Sequence, residues 1–369
     1  MKILQQCIYF PPEVGGLESH VYYLCRELVR RGHEVTMVTS LSKPGTARDE
    51  EVDGVQVVRR WFPGKNPAGW MAHTVVTIPS YLPLARDADI LHGQTFASSL
   101  PGIIAKHLFR KPLVITLHTS HFLRMAKQKR WQGYLRWIIR QADWLLAASV
   151  EIRDVALGLY PHPRAEALTN GVDTEIFRPV PPTLPREPGR SRLIVPRRRY
   201  GKNGVEFLVR AMPLIRQELD VEAALVGDGP ERPRLTALAR ELDMSDHVRF
   251  LGARPNIELP GLLCSADVAV IPSLVEATSV AALEAMSCEL PVAASRVGGL
   301  PEIVDQTVGT LFEPGNPPDL AASVLALLRR PDRAALGAHG RERVVAGWSV
   351  SRLARRHEEI YRTLLSEKR

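Results

Sequence analysis

The chain has 369 residues, of which 45% are hydrophobic and 24% charged, and its formal net charge is +8 at pH 7. This length is enough for about two domains, and the composition is that of a globular protein, which excludes a disordered chain, a coiled coil and a fibrous repeat. No apolar run approaches the ~18 residues that are needed to cross a bilayer.

The first half of the chain predicts alternating strands and helices. An apolar strand, Ile3–Phe10, precedes a loop at residues 11–16 and a helix that has apolar residues at i, i+3, i+4 and i+7 and ends at Gly32. Further short strands are predicted at Val35–Thr39, Ile90–His92 and Leu113–Leu117. This alternation is typical of a parallel sheet with helices on both faces.

A proline-rich segment near the middle of the chain predicts a domain boundary. Residues 178–192 contain five prolines, a composition that favours a semi-rigid linker. The alternating pattern then restarts, with strands predicted at Leu193–Val195, Ala223–Val226, Val248–Leu251, Asp267–Ile271 and Val292–Ala294, and helices at Val205–Glu218, Glu231–Leu242 and Pro318–Arg329. We therefore predict two doubly wound α/β domains, at residues 1–178 and 193–348. A linker at 179–192 joins them, and a charged amphipathic helix at 349–369 follows.

Open parallel sheets bind ligands where the carboxyl ends of their strands meet, and several chemically capable residues lie at such ends. Gly15 and Gly16 lie between the first strand and the first helix, where glycine and helix amides suit a phosphate, although a plain turn has the same sequence. Arg197 and Lys202 follow a strand and could together neutralise a diphosphate, although they also belong to a basic run.

Two glutamates and one histidine complete the set of candidates. Glu276 is expected in a loop and Glu284 on the following helix, where a carboxylate can accept hydrogen bonds from a ribose diol. Two exposed acids near the start of a helix would have the same spacing. His118 follows the strand Leu113–Leu117 and could donate to a sugar or a phosphate, although a single buried structural histidine is the commoner case.

The remaining titratable residues point away from metal and disulfide chemistry. Asp87 and Asp89 have the DxD spacing, but they precede a strand instead of following one, so we predict a turn and no metal site. The four cysteines, Cys7, Cys25, Cys264 and Cys288, are far apart in sequence and are expected to be buried thiols in a reducing cytoplasm. The N-terminus has the pattern of a strand and not that of a signal peptide.

A basic, aromatic segment at residues 121–140 is the strongest local charge feature. No Asp or Glu occurs between Asp89 and Asp143, whereas nine Lys or Arg residues do. Such a segment suits an anionic membrane surface or single-stranded nucleic acid, and it also suits a helix packed on the sheet with a solvated basic face.

Motifs in a fixed order run along nearly the whole chain, at residues 11–20, 31–35, 116–118, 170–179, 196–204, 226–231, 250–252, 272–286, 291–292 and 298–302. The most specific of them joins Pro272 and Ser273 to Glu276 and to Glu284. On these residues the chain resembles the retaining, nucleotide-sugar-dependent glycosyltransferases of group 1 (family four). The resemblance implies the GT-B fold, in which two Rossmann-like domains face a central cleft and a C-terminal helix crosses back to the first domain.

The resemblance also implies roles for individual residues. The implied catalytic residues are His118 beside the transferring sugar, Glu276 on the sugar hydroxyls, and Arg197 and Lys202 on the diphosphate. The implied donor-binding residues are Gly15, Gly16, Gly227, Ala277, Thr278, Ser279, Val280 and Glu284, of which Glu284 would hold the ribose. No metal and no cofactor are implied.

Two departures from the family pattern bear on this expectation. The usual Glu-Gly-Phe-Gly is replaced by Glu276-Ala277-Thr278-Ser279, which brings hydroxyls and β-carbons toward the donor sugar. The usual Gly-Arg is replaced by Pro196-Arg197, and Asn203 stands between Lys202 and Gly204, so the cationic loop can take a different shape.

The sequence thus predicts a cytoplasmic retaining glycosyltransferase that moves a hexose-type sugar from UDP- or GDP-sugar to an acceptor hydroxyl without a metal ion. The basic excess in the first half favours a lipid or lipid-linked acceptor and peripheral contact with the inner membrane face through residues 121–140. A nucleotide-sugar epimerase or hydrolase of the same architecture is the alternative, followed by a non-catalytic basic binding protein. No nucleic-acid-binding motif occurs, so no nucleic acid partner is predicted.

Overall fold

The computed structural model describes residues 1–13, 15–118 and 120–367. Val14 of the predicted loop 11–16, Thr119, and the last two residues of the predicted terminal segment 349–369 lie outside the described residues. The chain divides into two compact units. Unit 1 comprises Met1–Gly171 and Val350–Arg369, and unit 2 comprises Val172–Ser349.

The N-terminal segment of unit 1 forms a sheet with helices packed against it. Its strands are β1 (Lys2–Gln6), β2 (Glu34–Ser40), β3 (Asp49–Val52), β4 (Val55–Arg60), β5 (Ile90–Gly93), β6 (Leu113–Leu117), β7 (Trp144–Ala147) and β8 (Ala165–Ala167). Its helices are α1 (Gly16–Arg30), α2 (Pro67–Asp87), α3 (Leu100–Phe109), α4 (Ser120–Ala126), α5 (Lys129–Gln141) and α6 (Val150–Leu159). The strand order is β3-β4-β2-β1-β5-β6-β7-β8, and every pairing is parallel except that of β3 with β4. The direction of the connections reverses between β1 and β5.

Unit 2 is a parallel sheet between two helical layers. Its strands are β9 (Ser191–Pro196), β10 (Val221–Val226), β11 (Val248–Gly252), β12 (Val268–Ile271), β13 (Val292–Ser295) and β14 (Gly309–Phe312), in the order β11-β10-β9-β12-β13-β14. Its helices are α7 (Val205–Arg216), α8 (Arg232–Glu241), α9 (Leu259–Leu263), α10 (Val280–Ser287), α11 (Leu300–Ile303), α12 (Pro317–Arg329) and α13 (Arg333–Gly347). One apolar cluster packs on each face of the sheet, and the connections reverse between β9 and β12.

The last helix, α14 (Val350–Ser366), belongs to unit 1. Its apolar face, which includes Leu353, Ile360 and Leu364, joins the core cluster formed by α1 and the neighbouring strands. At its edge, the Nε of Arg31 donates to Glu358 at 2.9 Å. Unit 1 therefore takes its core from both ends of the chain.

Most of the predicted elements occur, with differences that have physical causes. The predicted strand Ile3–Phe10 ends at Gln6, because the chain leaves the sheet before Pro11 and Pro12, which cannot donate ladder hydrogen bonds. The basic segment 121–140 is not one stretch but two helices, α4 and α5, which are separated at Lys127 and Gln128.

The predicted linker and the cysteines both make contacts in unit 2. The backbone amides of Thr183 and Leu184 donate to Ser265 Oγ at 2.9 and 3.0 Å, so this part of the proline-rich segment is attached to the unit. All four cysteines are free thiols. Three are buried as expected, but Cys264 is only half-buried, since it ends the short helix α9 beside that segment.

Candidate active site

The carboxyl ends of β9 and β12 bring two predicted site residues into contact in unit 2. Arg197 follows β9, and its Nη2 donates to the carboxylate of Glu276, which lies in the loop after β12. The same nitrogen donates to Ser273 Oγ at 2.7 Å and to Asn203 Oδ1 at 3.3 Å. The exposed fractions of the two ion-paired side chains are only 12% and 14%, so solvent screens this pair less than a surface pair.

Lys202 lies on the loop that follows β9, the same loop that carries Arg197. It occupies a 3-10 turn, Gly201–Asn203, and its side chain is exposed. Its carbonyl oxygen accepts from the amides of Leu274 and Val275 at 2.8 and 3.4 Å. The loops that carry Lys202 and Glu276 are therefore joined through their backbones.

Two close backbone approaches in unit 2 require glycine. Gly227 has φ +119°, and a β-carbon there would lie 2.4 Å from the carbonyl oxygen of Arg197. Gly298 has φ +53°, and a β-carbon would lie 1.8 Å from the carbonyl oxygen of Glu276. Each glycine thus lets a neighbouring loop pack directly against the backbone of a site residue.

Helix α10 carries the second predicted glutamate into the interior. Glu284 is buried, and this burial raises the pKa of its carboxyl to about 8, although the positive charge of Arg197 acts in the opposite direction. The carboxyl is therefore largely protonated at neutral pH in the ligand-free protein. In that state it can both donate and accept a hydrogen bond.

Ala277, Thr278 and Ser279, which depart from the family pattern, lead directly into α10, which begins at Val280. Ala277, Thr278, Ser279 and Val280 are all buried. Ser279 Oγ accepts from the amide of Ala282 at 3.3 Å and so caps the helix. Its hydroxyl is thus engaged by the protein, whereas Thr278 Oγ1 is buried with no hydrogen-bond partner among the described residues.

In unit 1, His118 lies after β6 within a buried polar network. Its Nε2 lies 2.8 Å from Gln94 Oε1, and its Nδ1 lies 3.0 Å from Asn170 Oδ1. Burial lowers the pKa of His118 to about 3, so the ring is neutral and carries one N–H. The amide nitrogen of Gln94 already donates to Gln5, which leaves its oxygen to accept from Nε2–H.

This network continues toward α14. His92 Nδ1 lies 2.7 Å from the hydroxyl of Tyr361, and His92 Nε2 lies 2.7 Å from Thr116 Oγ1. The ring of His20 packs 5.1 Å from that of His118. The sequence analysis did not find these partners, although the position of Gln94 directly after β5, where the connections of unit 1 reverse, is a usable signal.

The predicted site residues fall into two groups, one in each unit. Gly15 and Gly16 start α1, and with His118 they belong to unit 1. Arg197, Lys202, Gly227, Glu276 and the residues from Ala277 to Glu284 belong to unit 2. No group of three or more His, Cys, Asp or Glu side chains suited to a metal ion occurs in the part of the chain that the structure describes.

The charged side chains of the basic segment 121–140, which was predicted as a partner surface, are exposed. All six cations, Arg124, Lys127, Lys129, Arg130, Arg136 and Arg140, are exposed, and none forms an ion pair with a carboxylate among the described residues. Trp137, on α5, is 41% exposed. Within residues 1–13, 15–118 and 120–367, no helix combines the length and the apolar character that a membrane span requires.

Comparison with known proteins gave matches over both halves of the chain. The family model described as "Glycosyltransferase Family 4" matches residues 14–176, and the one described as "Glycosyl transferases group 1" matches residues 191–330. The D-inositol 3-phosphate glycosyltransferase of Thermobispora bispora is 31% identical, over 95% of this chain and 90% of its own. A GDP-mannose-dependent alpha-(1-6)-phosphatidylinositol monomannoside mannosyltransferase of Mycolicibacterium smegmatis is 30% identical, over 92% of each chain.

Two solved structures share the fold. The sucrose-phosphate synthase of Thermosynechococcus elongatus superimposes with a TM-score of 0.85, at 22% identity, over 99% of each chain. HepE of Anabaena in complex with UDP-glucose superimposes with a TM-score of 0.77, at 20% identity, over 98% of this chain and 100% of its own. With the two parallel sheets, this likeness confirms the predicted α/β fold of the GT-B class.

Proposed function

This chain belongs to the glycosyltransferases of group 1 and family 4, which act on nucleotide-sugar donors, and we propose that it transfers a hexose-type sugar from GDP- or UDP-sugar to an acceptor hydroxyl, with retention of configuration and without a metal ion. The observation that carries this proposal is the cluster of Arg197, Glu276 and Ser273 at the point where the connections of unit 2 reverse. A cation and a carboxylate meet there, as a charged diphosphate linked to a sugar requires.

The proposed roles follow from the chemistry of each group. Arg197 and Lys202 stabilise the diphosphate as the bond between its oxygen and the anomeric carbon breaks. Glu276 accepts from hydroxyls of the transferring sugar, and Glu284 binds the ribose. The acceptor oxygen bonds to the anomeric carbon on the face that the diphosphate leaves, and the departing phosphate oxygen takes the proton of the acceptor hydroxyl. Because these cations supply the charge, the step as proposed does not use a metal.

Neutral His118 is proposed to lie beside the transferring sugar in this reaction. Its two ring nitrogens lie within hydrogen-bond distance of Gln94 and Asn170, so the ring has a defined orientation before a substrate arrives. Gly15 and Gly16 lie at the start of α1, whose first amides would suit an anionic diphosphate.

A thermal-shift screen against UDP, GDP, ADP and their sugar conjugates, in the presence of a chelator, tests the donor site. A ligand at about 100 times its dissociation constant adds about 2.7 kcal/mol of stability when it binds only the folded state. We expect one nucleotide to raise Tm clearly and to show which base the donor carries. Glu284→Ala should weaken that shift, Arg197→Ala should weaken it and also lower turnover, and Lys202→Ala should mainly lower turnover. If no nucleotide raises Tm, the proposal is wrong.

We further propose that the acceptor is an anionic lipid or a lipid-linked sugar and that unit 1 contacts the membrane surface that carries it. Support comes from the exposed cations and the exposed Trp137 of α5. It also comes from α2, whose exposed face includes Met71, Val75 and Val76 and whose sequence has no charged residue between Lys65 and Arg86. Cations beside exposed apolar side chains suit an anionic interface.

Sedimentation with lipid vesicles tests this surface. Wild-type protein should bind vesicles that contain phosphatidylglycerol, and binding should fall as salt rises, because salt screens surface charges. The double variant Lys129→Glu/Arg136→Glu should lose this binding, whereas Arg240→Glu on α8 is a matched change in unit 2 that should leave it intact. Absent binding, or binding that does not respond to salt, would contradict the membrane proposal.

A further inference from the structure

Asn203, the residue that interrupts the family pattern between Lys202 and Gly204, contacts the guanidinium of Arg197. Its Oδ1 accepts from Arg197 Nη2 at 3.3 Å, and its Nδ2 donates to the carbonyl oxygen of Arg198. Its backbone amide donates to the carbonyl of Tyr200 at 2.8 Å. The side chain is buried. Asn203 thus links the guanidinium to the backbone of the loop on which that arginine stands.

The position of Asn203 is itself fixed by the opposite loop. Gly204 has φ +63°, and a β-carbon there would lie 1.9 Å from the carbonyl oxygen of Pro272. Pro272 directly precedes Ser273, whose Oγ accepts from the same Nη2 of Arg197. The two neutral acceptors on Arg197 are therefore held on loops that touch each other.

The three acceptors on Nη2 differ in charge. Glu276 is a carboxylate and partly neutralises the guanidinium, whereas Asn203 and Ser273 are neutral. In the proposed reaction Glu276 turns to sugar hydroxyls, so its bond to Arg197 cannot be what holds the arginine while a donor is bound. The neutral acceptors can stay in place and leave the positive charge to the diphosphate. The buried Nε of Arg197 has no hydrogen-bond partner among the described residues, so the guanidinium keeps an unused donor.

We infer that Asn203, together with Ser273, is a positioning residue that holds Arg197 toward the diphosphate of the nucleotide-sugar donor. This inference rests on the proposed function. A cation that is already oriented needs no reorganisation when charge develops on the leaving group. Asn203, which interrupts the family pattern, therefore helps to fix the conformation of the loop that carries Arg197 and Lys202.

Titration calorimetry with UDP and GDP, and with the nucleosides uridine and guanosine, tests the inference. Asn203→Leu removes the oxygen that accepts from Arg197 but keeps a side chain of similar size. We expect it to lower the affinity for whichever of UDP and GDP binds the wild type by about five- to tenfold, as for one lost hydrogen bond. The affinity for the nucleoside should change less than twofold. Ser273→Ala should act in the same direction. In the Arg197→Ala background, Asn203→Leu should have no further effect, because Asn203 acts through Arg197.

Controls separate this role from a merely structural one. Asn316 caps α12 by accepting from the amide of Asp319, so Asn316→Leu should lower Tm but leave diphosphate affinity unchanged. If Asn203→Leu does not fold, the Ser273→Ala cycle with Arg197→Ala decides the question. Equal losses for nucleoside and diphosphate, or additive losses with Arg197→Ala, would overturn the inference while wild-type nucleotide binding still supports the proposed function. Failure of wild-type protein to bind either diphosphate would instead remove the proposed function.

Discussion

Glu284 is a buried carboxyl whose ionisation is opposed by the protein around it. Because its pKa in the folded state is about 8 and its ordinary value is 4.5, the native protein holds a proton that the unfolded chain releases between these values. The stability that this proton provides is fully present below pH 4.5 and is lost as pH rises through about 8. The ligand-free protein therefore becomes less stable as pH rises from about 4.5 to about 8.

Glu284→Gln should abolish this dependence, because the amide stays neutral. Thermal unfolding at pH 5, 7 and 9 should show the wild type losing roughly 4 kcal/mol relative to the variant between the two extremes. Glu289→Gln, at an exposed position just after α10, is the matched control and should show no such trend. Parallel pH profiles for wild type and Glu284→Gln would contradict the raised pKa.

Gly298 gives a second prediction for a single residue. Gly298→Ala places a β-carbon against the carbonyl oxygen of Glu276 and asks alanine to adopt φ +53°, so the loop that carries Glu276 must move. We expect a loss of about 1–3 kcal/mol in stability and a fall in kcat/KM for the donor. Gly347→Ala, where a β-carbon would meet nothing within 4 Å, should leave both unchanged. A Gly298→Ala enzyme with wild-type kinetics would show that this contact does not set the position of Glu276.

The sequence was enough to predict which strand ends carry the candidate residues, but not which of these residues contact each other. Arg197 and Glu276 are placed correctly at strand ends, since carboxyl ends of parallel strands meet at one edge. Their ion pair was not predicted, because motif roles assign the two residues to different parts of a ligand and say nothing of the ligand-free state. Gln94 and Asn170 were missed as partners of His118, because an amide carries no charge that marks it in a sequence, and for Gln94 only its position directly after β5 is a signal.

Among the helices and strands, the sequence predicted best those strands whose residues are all buried. The buried strands β6 and β10 contain the predicted ranges, because a run of apolar residues gives a clear signal. The edge strand β3 was not predicted, since Asp49–Val52 is mostly charged and only partly buried. Helix α13 was also missed, because it packs through Gly337 and Gly340 against Glu289 and Met286 and therefore has a weak apolar stripe.

Helix α14 carries a prediction about packing. Ile360 is fully buried in the cluster that α14 forms with α1, so Ile360→Ala should cost about 2–4 kcal/mol in the stability of unit 1. Arg355→Ala changes an exposed position of the same helix and should be nearly neutral. Hydrogen exchange of the α1 amides, measured at increasing urea concentrations, would give the loss of stability in unit 1. Equal stability of the two variants would mean that α14 is not part of this core.

For the whole molecule, the alternation of strands and helices was enough to predict two α/β halves, because each crossover helix must cover a parallel sheet. The sequence boundaries at 178 and 193 mark the proline-rich segment, whereas the compact units divide at Gly171 and Val172. The difference arises because composition reveals where the chain is stiff, but only contacts reveal that Thr183 and Leu184 are attached to unit 2.

The return of α14 to unit 1 has a consequence for the order in which the protein is made. Unit 2 is a continuous stretch and is complete once Ser349 has left the ribosome, whereas unit 1 waits for the final helix. Until then, the core cluster that contains α1 lacks Leu353, Ile360 and Leu364 of α14. Synthesis therefore exposes an apolar surface on the first-made unit while the second-made unit folds, and this interval is the one in which a nascent chain most needs protection from aggregation.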